Sequence, residues 1–486
     1  MRTRGALTRI GTIRGVPITR AKLVETYGQA ILSGNAAVFV GAGLSRAAGY
    51  PDWGSLLKPM QDRCDIPGHA DLPLVAEYIA LDRGNGGRDA LETHILTTMI
   101  EIPPEPTSSH RDLRRLDIKE IWTTNYDRLL ETAIPEAVVV AGEDHVHNIA
   151  SRRRAIIKMH GSIDNRNEWE LPPVITRTDY ERYELAHPRT WTVLRSSYMS
   201  RTMLFLGFSF TDPNIEILLR LARTLGTASA DRHIAVMKPP NGADATPEDL
   251  RRYRLQAADL ENSGVTVCEI NDHDEIPDLL AELVLRTRPP HLFVSGSSRI
   301  ENATPEQDEE ILGPWCAALA VTLVDEPTWT IASLGGPAGW YTSRDVARTR
   351  RKEGTYDPSK LMIHFRGKDE PPVVPPERVG TSIYSDLPRK ELVTSVLDDC
   401  RALVAIRGGT RTAEEIGWAA DRRVAVIPIA AAGGAARDYW EAHRGNPPAI
   451  GSRATEHATW ERLNDADPTI TARAAKSLIK QAMYES

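Results

Sequence analysis

The stretch Ala36-Ala37-Val38-Phe39-Val40-Gly41-Ala42-Gly43-Leu44-Ser45-Arg46-Ala47-Ala48-Gly49-Tyr50-Pro51-Asp52-Trp53 decides the fold. Five apolar residues run without a break into two glycines one residue apart. Such a run, bounded by glycine, predicts a strand buried on both faces, and so a parallel sheet covered by helices. Gly41 and Gly43 let the backbone approach a pyrophosphate, and the helix expected next presents free N–H groups to it. The construction recurs. Residues 120–124 run into Asn125, 155–159 into His160 and 202–206 into Gly207, with further strands expected at 233–237 and 265–270. In sheets of this kind the ligand lies beyond the carboxyl ends of the strands. Four small or polar residues at four such ends point to one site.

The second half repeats the pattern. Strands are expected at 292–294, 329–332, 361–365, 402–406 and 424–427. Three of them run into Ser295-Gly296-Ser297, Ser333-Leu334-Gly335-Gly336 and Arg407-Gly408-Gly409-Thr410. Between the halves a helical pattern over 276–285 ends in Arg286-Thr287-Arg288-Pro289-Pro290, which cannot continue a helix. The expected architecture is α/β, two Rossmann-like parallel-sheet domains over 21–288 and 289–486, after an N-terminal extension over 1–20.

The 486 residues suit two such domains. With 59 Lys and Arg against 66 Asp and Glu, the net charge is −7, which gives no global basic footprint for nucleic acid. No apolar run reaches the ~20 residues of a membrane span. Residues 1–20 lack the apolar core of a secretory signal, so a cytoplasmic protein is expected. Cys64, Cys268, Cys316 and Cys400 lie far apart and form no CxxC pair, so no zinc ribbon and no metal are expected.

The extended motif Gly41-Ala42-Gly43 through Ser45 to Gly49, Pro51, Asp52 and Trp53 resembles the nucleotide-binding signature of sirtuins, which usually ends in PDF followed by Arg. Further segments match in order. Thr123-Thr124-Asn125-Tyr126-Asp127 resembles the strand end whose Asn and Asp line the nicotinamide–ribose pocket. Lys158-Met159-His160-Gly161 resembles the segment with the catalytic His. Gly207-Phe208-Ser209 stands where sirtuins hold ribose with Gly-Thr-Ser, and Ile270-Asn271 resembles the Ile-Asn that flanks adenosine. The resemblance, which covers about 36–285, implies NAD+ as substrate. The implied NAD-binding residues are Gly41, Ala42, Gly43, Ser45, Asp52, Asn125, Asp127, His160, Gly207, Ser209 and Asn271. Asp127 reads equally well as a helix N-cap, and Asp52 as a ribose ligand or an orienter of a neighbour. Asp212-Pro213 reads as a cap and first helical residue.

Sirtuin deacetylases carry two cysteine pairs after the catalytic His, in a ribbon that helps form the acyl-peptide cleft. Residues 161–201 contain no cysteine. The reading therefore moves from deacylase to NAD+ glycohydrolase, with His160 as general base and Asn125 placing ribose or water. A protein deacylase and a non-catalytic nucleotide-binding regulator are the alternatives.

The second half resembles the SLOG superfamily of nucleotide sensors. The residues that carry the resemblance are Ser295-Gly296-Ser297, Leu334-Gly335-Gly336 and Gly408-Gly409-Thr410 with Glu414-Glu415. The last element lacks one family glycine, which counts against base cleavage by this domain. Signal-binding candidates are Gly296, Ser297, Leu334, Gly335, Arg366, Arg389, Gly408, Thr410 and Glu415. Arg389 would clamp phosphate and Glu415 ribose, and Lys390 replaces Arg389 if the register slips. Together the two halves resemble the effector family of the bacterial Thoeris anti-phage system. That resemblance implies a cyclic ADP-ribose isomer made by a TIR-domain partner enzyme, its binding to the SLOG domain, destruction of NAD+ by the sirtuin-like domain, and a homo-oligomer, expected to be a tetramer.

Overall fold

The computed structural model describes residues 17–484, except 70, 151–152, 165, 211, 225–232, 241–244, 301–302, 368–376, 378 and 452. Most of the expected extension over 1–20 therefore lies outside the described residues. Its end does not stand apart. Ile18 N donates to Val267 O (2.9 Å), and Thr19 caps the helix Arg20–Leu32.

The chain divides into two compact units, one ending at Thr287 and the other starting at Arg288. The first holds seven parallel strands: β1 (Ala36–Val40), β2 (Glu120–Thr123), β3 (Val138–Val140), β4 (Ala155–Lys158), β5 (Thr202–Leu206), β6 (His233–Met237) and β7 (Val265–Glu269). Their order is β3-β4-β2-β1-β5-β6-β7. β1 is buried throughout, because helices cover both faces and its side chains alternate between two cores. Val38 and Val40 join Leu23, Ile121, Ile156 and Leu280 on one face. Ala37 and Phe39 join Trp122, Ile157, Tyr183 and Trp191 on the other. The helices Trp53–Arg63, Leu72–Leu81 and Arg88–Ile100 build a third core around Leu57, Ile79 and Ile95, which reaches Tyr126 and Ile175.

Residues of β1 pair with β2 and with β5, and β2 pairs with β4, so the ends of these four strands are level: Val40 opposite Thr123 and Leu206, and Thr123 opposite Lys158. The strand order reverses at β1, between β2 and β5. Ligands of open α/β sheets bind at such reversals.

The second unit has β8 (His291–Ser297), β9 (Thr330–Ser333), β10 (Leu361–Arg366), β11 (Thr381–Ser385), β12 (Cys400–Arg407) and β13 (Ala425–Ile429), ordered β11-β10-β9-β8-β12-β13 and all parallel. The tail is structural as well. The helix Pro468–Tyr484 buries Leu478, Ile479 and Met483 in the larger core of this unit.

The expected α/β class with two parallel sheets is borne out. Two strands lacked a sequence signal, and both are edges. β3 has three residues. β11, Thr-Ser-Ile-Tyr-Ser, is largely exposed and offers no apolar run to read.

Candidate active site

The glycines at the reversal serve one backbone against another. Gly41 N donates to Leu206 O, and Gly43 N donates to Gly207 O, both at 2.9 Å. A Cβ on Gly41 would lie 2.4 Å from Gly207 O, and one on Gly43 2.8 Å from Gly207 Cα. Gly207 itself has φ +62°, where a side chain is strained. The three glycines thus let the loops after β1 and β5 cross. The Gly43 N–H is thereby already bonded within the chain. The helix expected next is short. Ala42–Ser45 makes one turn, Arg46–Ala48 a 3₁₀ turn, and left-handed Gly49 (φ +91°) ends it.

Behind the crossing lies a linked set of polar side chains. Asn125 Nδ2 donates to Ser45 Oγ (3.0 Å), and Ser45 Oγ donates to Asp127 Oδ2 (2.8 Å). Asp127 stands one residue before Arg128, the N-cap of the helix Leu129–Ala133, and its Oδ1 accepts from Leu129 N (3.0 Å). Lys158, to which the sequence gave no role, fixes this turn from below. Its fully buried ammonium donates to Tyr126 O (3.1 Å), Asp127 O (2.6 Å) and Glu131 Oε1 (2.7 Å). Three acceptors match the three donors of an ammonium.

His160 stands two residues past β4, beside Asn125, two residues past β2. Only 3% of it is exposed. Tyr180 and Tyr183, from the helix Arg177–Ala186, meet its ring edge-on, with centroids 5.0 and 6.1 Å away. That helix and Pro188–Ser200 fill the interval in which sirtuin deacetylases carry their zinc ribbon. His160 Nε2 lies 3.4 Å from Asp212 Oδ2, off hydrogen-bonding alignment. Burial pulls the imidazole below its usual pKa, Asp212 works against that, His187 adds to the lowering and Asp179 opposes it. Nε2 of His160, Oη of Tyr183 and Nδ2 of Asn214 are buried with no hydrogen-bond partner among the described residues.

Asp212 is the residue that sequence reasoning missed. It does cap the helix Pro213–Thr224, with Oδ1 accepting from Asn214 N (2.9 Å), but its other oxygen faces His160. The Asp-Pro signal identified the cap. Nothing local to the sequence shows where a second oxygen points.

The remaining residues of the first unit lie further out. Asp52 caps the helix Trp53–Arg63, accepting from Ser55 N (2.8 Å), and stands 3.7 Å from Arg46. The Ser55 backbone hydrogen bond, chiefly, holds its carboxyl below the usual range. Ser209 is exposed, and its carbonyl accepts from Gln256 Nε2 (3.0 Å). Asn271 is exposed beyond β7, the sheet edge, and its N–H donates to Glu275 Oε1 (2.8 Å). Among the described residues no group of three or more His, Cys, Asp or Glu could hold a metal, and no helix is long and apolar enough to cross a membrane.

In the second unit the two expected clamps bind each other. Arg389 donates to Glu415 and to Glu414 Oε2 (2.6 Å), and its guanidinium lies over Trp418 (5.2 Å). Glu415 also accepts from Ser295 Oγ (2.5 Å). The sequence reading had set them on phosphate and ribose separately. The helix Thr410–Asp421, which follows β12, brings Glu415 within reach of Arg389 instead. Gly296 (φ +151°) and Gly408 (φ +81°) sit at the ends of neighbouring strands, where Gly408 N donates to Ser297 O (3.0 Å). Gly335 (φ +71°), beside Leu334, lies against the Phe365 ring. Arg366 and Thr410 are exposed at the ends of β10 and β12, and Lys390 is the next residue after Arg389 in the helix Arg389–Asp398.

A SIR2-like domain matches residues 119–263. Three curated relatives carry the name NAD(+) hydrolase ThsA. That of Bacillus cereus is 28% identical over 70% of this chain and 72% of its own length. Those of Acinetobacter baumannii and Enterococcus faecium are each 33% identical, over 54% and 57% of this chain and 56% and 60% of theirs. The resemblance to the Thoeris effector family is thereby borne out: the chain is a relative of the ThsA proteins and carries a SIR2-like domain.

Proposed function

We propose that the first unit hydrolyses NAD+ to nicotinamide and ADP-ribose. The observation that carries this reading is the pairing of Asn125 and His160 at the ends of the adjacent strands β2 and β4, beside the chain reversal at β1. The bond between ribose C1′ and the pyridinium nitrogen breaks, and its electron pair leaves with nicotinamide as a neutral ring. C1′ passes through an oxocarbenium-like state. Water supplies the new C1′–O bond, and a nitrogen of His160 takes its proton. Asn125, held through Ser45, orients ribose or water. The packing of Tyr180 and Tyr183 against His160 supports water rather than an acyl-lysine as the nucleophile. The test is incubation with NAD+ alone. Nicotinamide released without acyl-peptide supports the hydrolase, and release that depends on acyl-peptide restores the deacylase.

The second unit, on this reading, is the SLOG-type sensor. It takes a cyclic ADP-ribose isomer made by a TIR-domain partner and switches on the first unit within a homo-oligomer, a tetramer by family resemblance, so that cellular NAD+ is depleted. Its glycine-rich strand ends and the Arg389–Glu415–Ser295 set support a nucleotide-sized ligand there. The test is NAD+ turnover with and without a panel of cyclic ADP-ribose isomers. Turnover that ignores every isomer counts against the gating.

A further inference from the structure

We propose that Asp212 is a positioning residue for His160: one oxygen caps the following helix, and the other, held against Nε2, fixes the imidazole with its proton on Nε2 and its lone pair on Nδ1. A neutral imidazole has one N–H and one lone pair, and the partner of the first determines the place of the second. Asp212 Oδ2 is the carboxylate oxygen at ion-pair distance from Nε2, 3.4 Å away. The same residue is anchored through Oδ1 by Asn214 N (2.9 Å) and Ile215 N (3.4 Å), so it cannot swing off without uncapping the helix Pro213–Thr224.

The need for such a partner follows from burial. His160 is enclosed by Tyr180 and Tyr183, and an imidazolium formed there has lost its water. Several groups act on the ring: Asp212 ahead of the helix 213–224, Asp179, Tyr180 and Tyr183 on the helix 177–186, and His187 just past it. Of the two carboxylates, Asp212 raises the pKa more, and His187 opposes both. A carboxylate beside the ring steadies the imidazolium as it accepts a proton and gives way to the neutral form afterwards.

The inference rests on His160 as the base of the proposed hydrolysis, and one variant separates the two readings. Asn is as good a helix cap as Asp, so Asp212→Asn keeps the cap and the volume and removes only the charge. The imidazole of His160 is followed by NMR in the full-length protein, its signals identified by their loss in His160→Ala. The expected result is an Nε2–H tautomer in the wild type and a protonation midpoint about one pH unit lower in Asp212→Asn. In NAD+ turnover the acidic limb should move the same way, with kcat down by about tenfold or more and KM nearly unchanged. An Nδ1–H tautomer, or an unmoved midpoint, overturns the proposal. If the midpoint moves but the wild type cleaves no NAD+, the pair stands and the hydrolase reading falls. If Asp212→Asn does not fold, Asp212→Ser, which also caps a helix but presents no carboxylate, decides by the same midpoint.

Discussion

His160 and Lys158 are two residues apart on one strand end and solve opposite problems. Lys158 gives all three N–H bonds to fixed acceptors, and burial pulls the His160 imidazole below its usual pKa. Removing the lysine leaves two carbonyls and Glu131 facing an empty place. Breaking a buried pair in this way costs about 3–5 kcal/mol. Lys158→Met should therefore lower the denaturation midpoint of the first unit markedly, and a midpoint equal to wild type would deny Lys158 its part in holding the turn. His160→Ala should do the reverse. The fold should persist while NAD+ cleavage falls by about 10²–10⁴-fold, the usual loss with a general base. Near-wild-type cleavage by His160→Ala would show that the base lies elsewhere. The same resolution shows why Asp212 escaped the sequence reading. A carboxylate has two oxygens, and local spacing accounts for only one of them.

At the scale of elements, the crossing of the loops after β1 and β5 is the most exacting feature. A Cβ on Gly207 would lie 2.4 Å from Leu44 N, in a backbone conformation already adverse to side chains. Neither backbone can yield without shifting a strand end. Gly207→Ala should destabilise the first unit by at least about 1–3 kcal/mol and disturb the site, as the cost of strained backbone suggests. Thermal denaturation of that variant measures it, and an unchanged midpoint would mean that the loops are free to part. The helix Ser108–Arg115 supplies a different lever. His110 is buried within it, bonded through Nδ1 to Thr107 Oγ1 (2.8 Å), and burial lowers its pKa to about 4. The folded chain thus holds it neutral while the unfolded chain protonates it near its ordinary value of about 6.5. Stability is complete above that value and declines as pH falls towards about 4, by up to about 3 kcal/mol. Urea denaturation between pH 7 and 4.5 should show this loss, and His110→Gln should flatten it.

For the whole molecule, the second unit is the part whose role the first does not reveal. Arg389 is engaged with Glu414 and Glu415, so a phosphate would have to compete with two carboxylates or be joined to an existing network. Arg389→Ala removes a charged hydrogen bond that commonly contributes about 1.5–3 kcal/mol. Activation by a cyclic ADP-ribose isomer should weaken by tenfold or more, with nicotinamide-releasing chemistry intact when the signal is saturating. An unchanged response in both Arg389→Ala and Glu415→Ala would take the signal away from this set. A chain ended near Arg288 should no longer respond to the isomer, whether it is active or silent. NAD+ cleavage should also survive chelators, and activity lost with a stoichiometric zinc ion would undo the argument from the missing cysteines.

Long apolar runs ending in glycine or a polar residue determined the two parallel sheets, because a strand buried on both faces has no use for alternation. The ordered motifs, from Gly41 to Asn125 to His160 to Gly207, were legible for the same reason: each follows a strand whose burial marks its end. Short or exposed edge strands such as β3 and β11 left no such mark. Only the tertiary structure decided what those residues touch. It spent the glycines on a crossing of two loops, closed the interval after His160 with two helices, joined Arg389 to Glu415 and turned one oxygen of Asp212 towards the histidine. Periodicity along a chain records which face is buried. Contacts between residues 50 or 100 positions apart depend on how the faces meet, and that information exists only once the chain has folded.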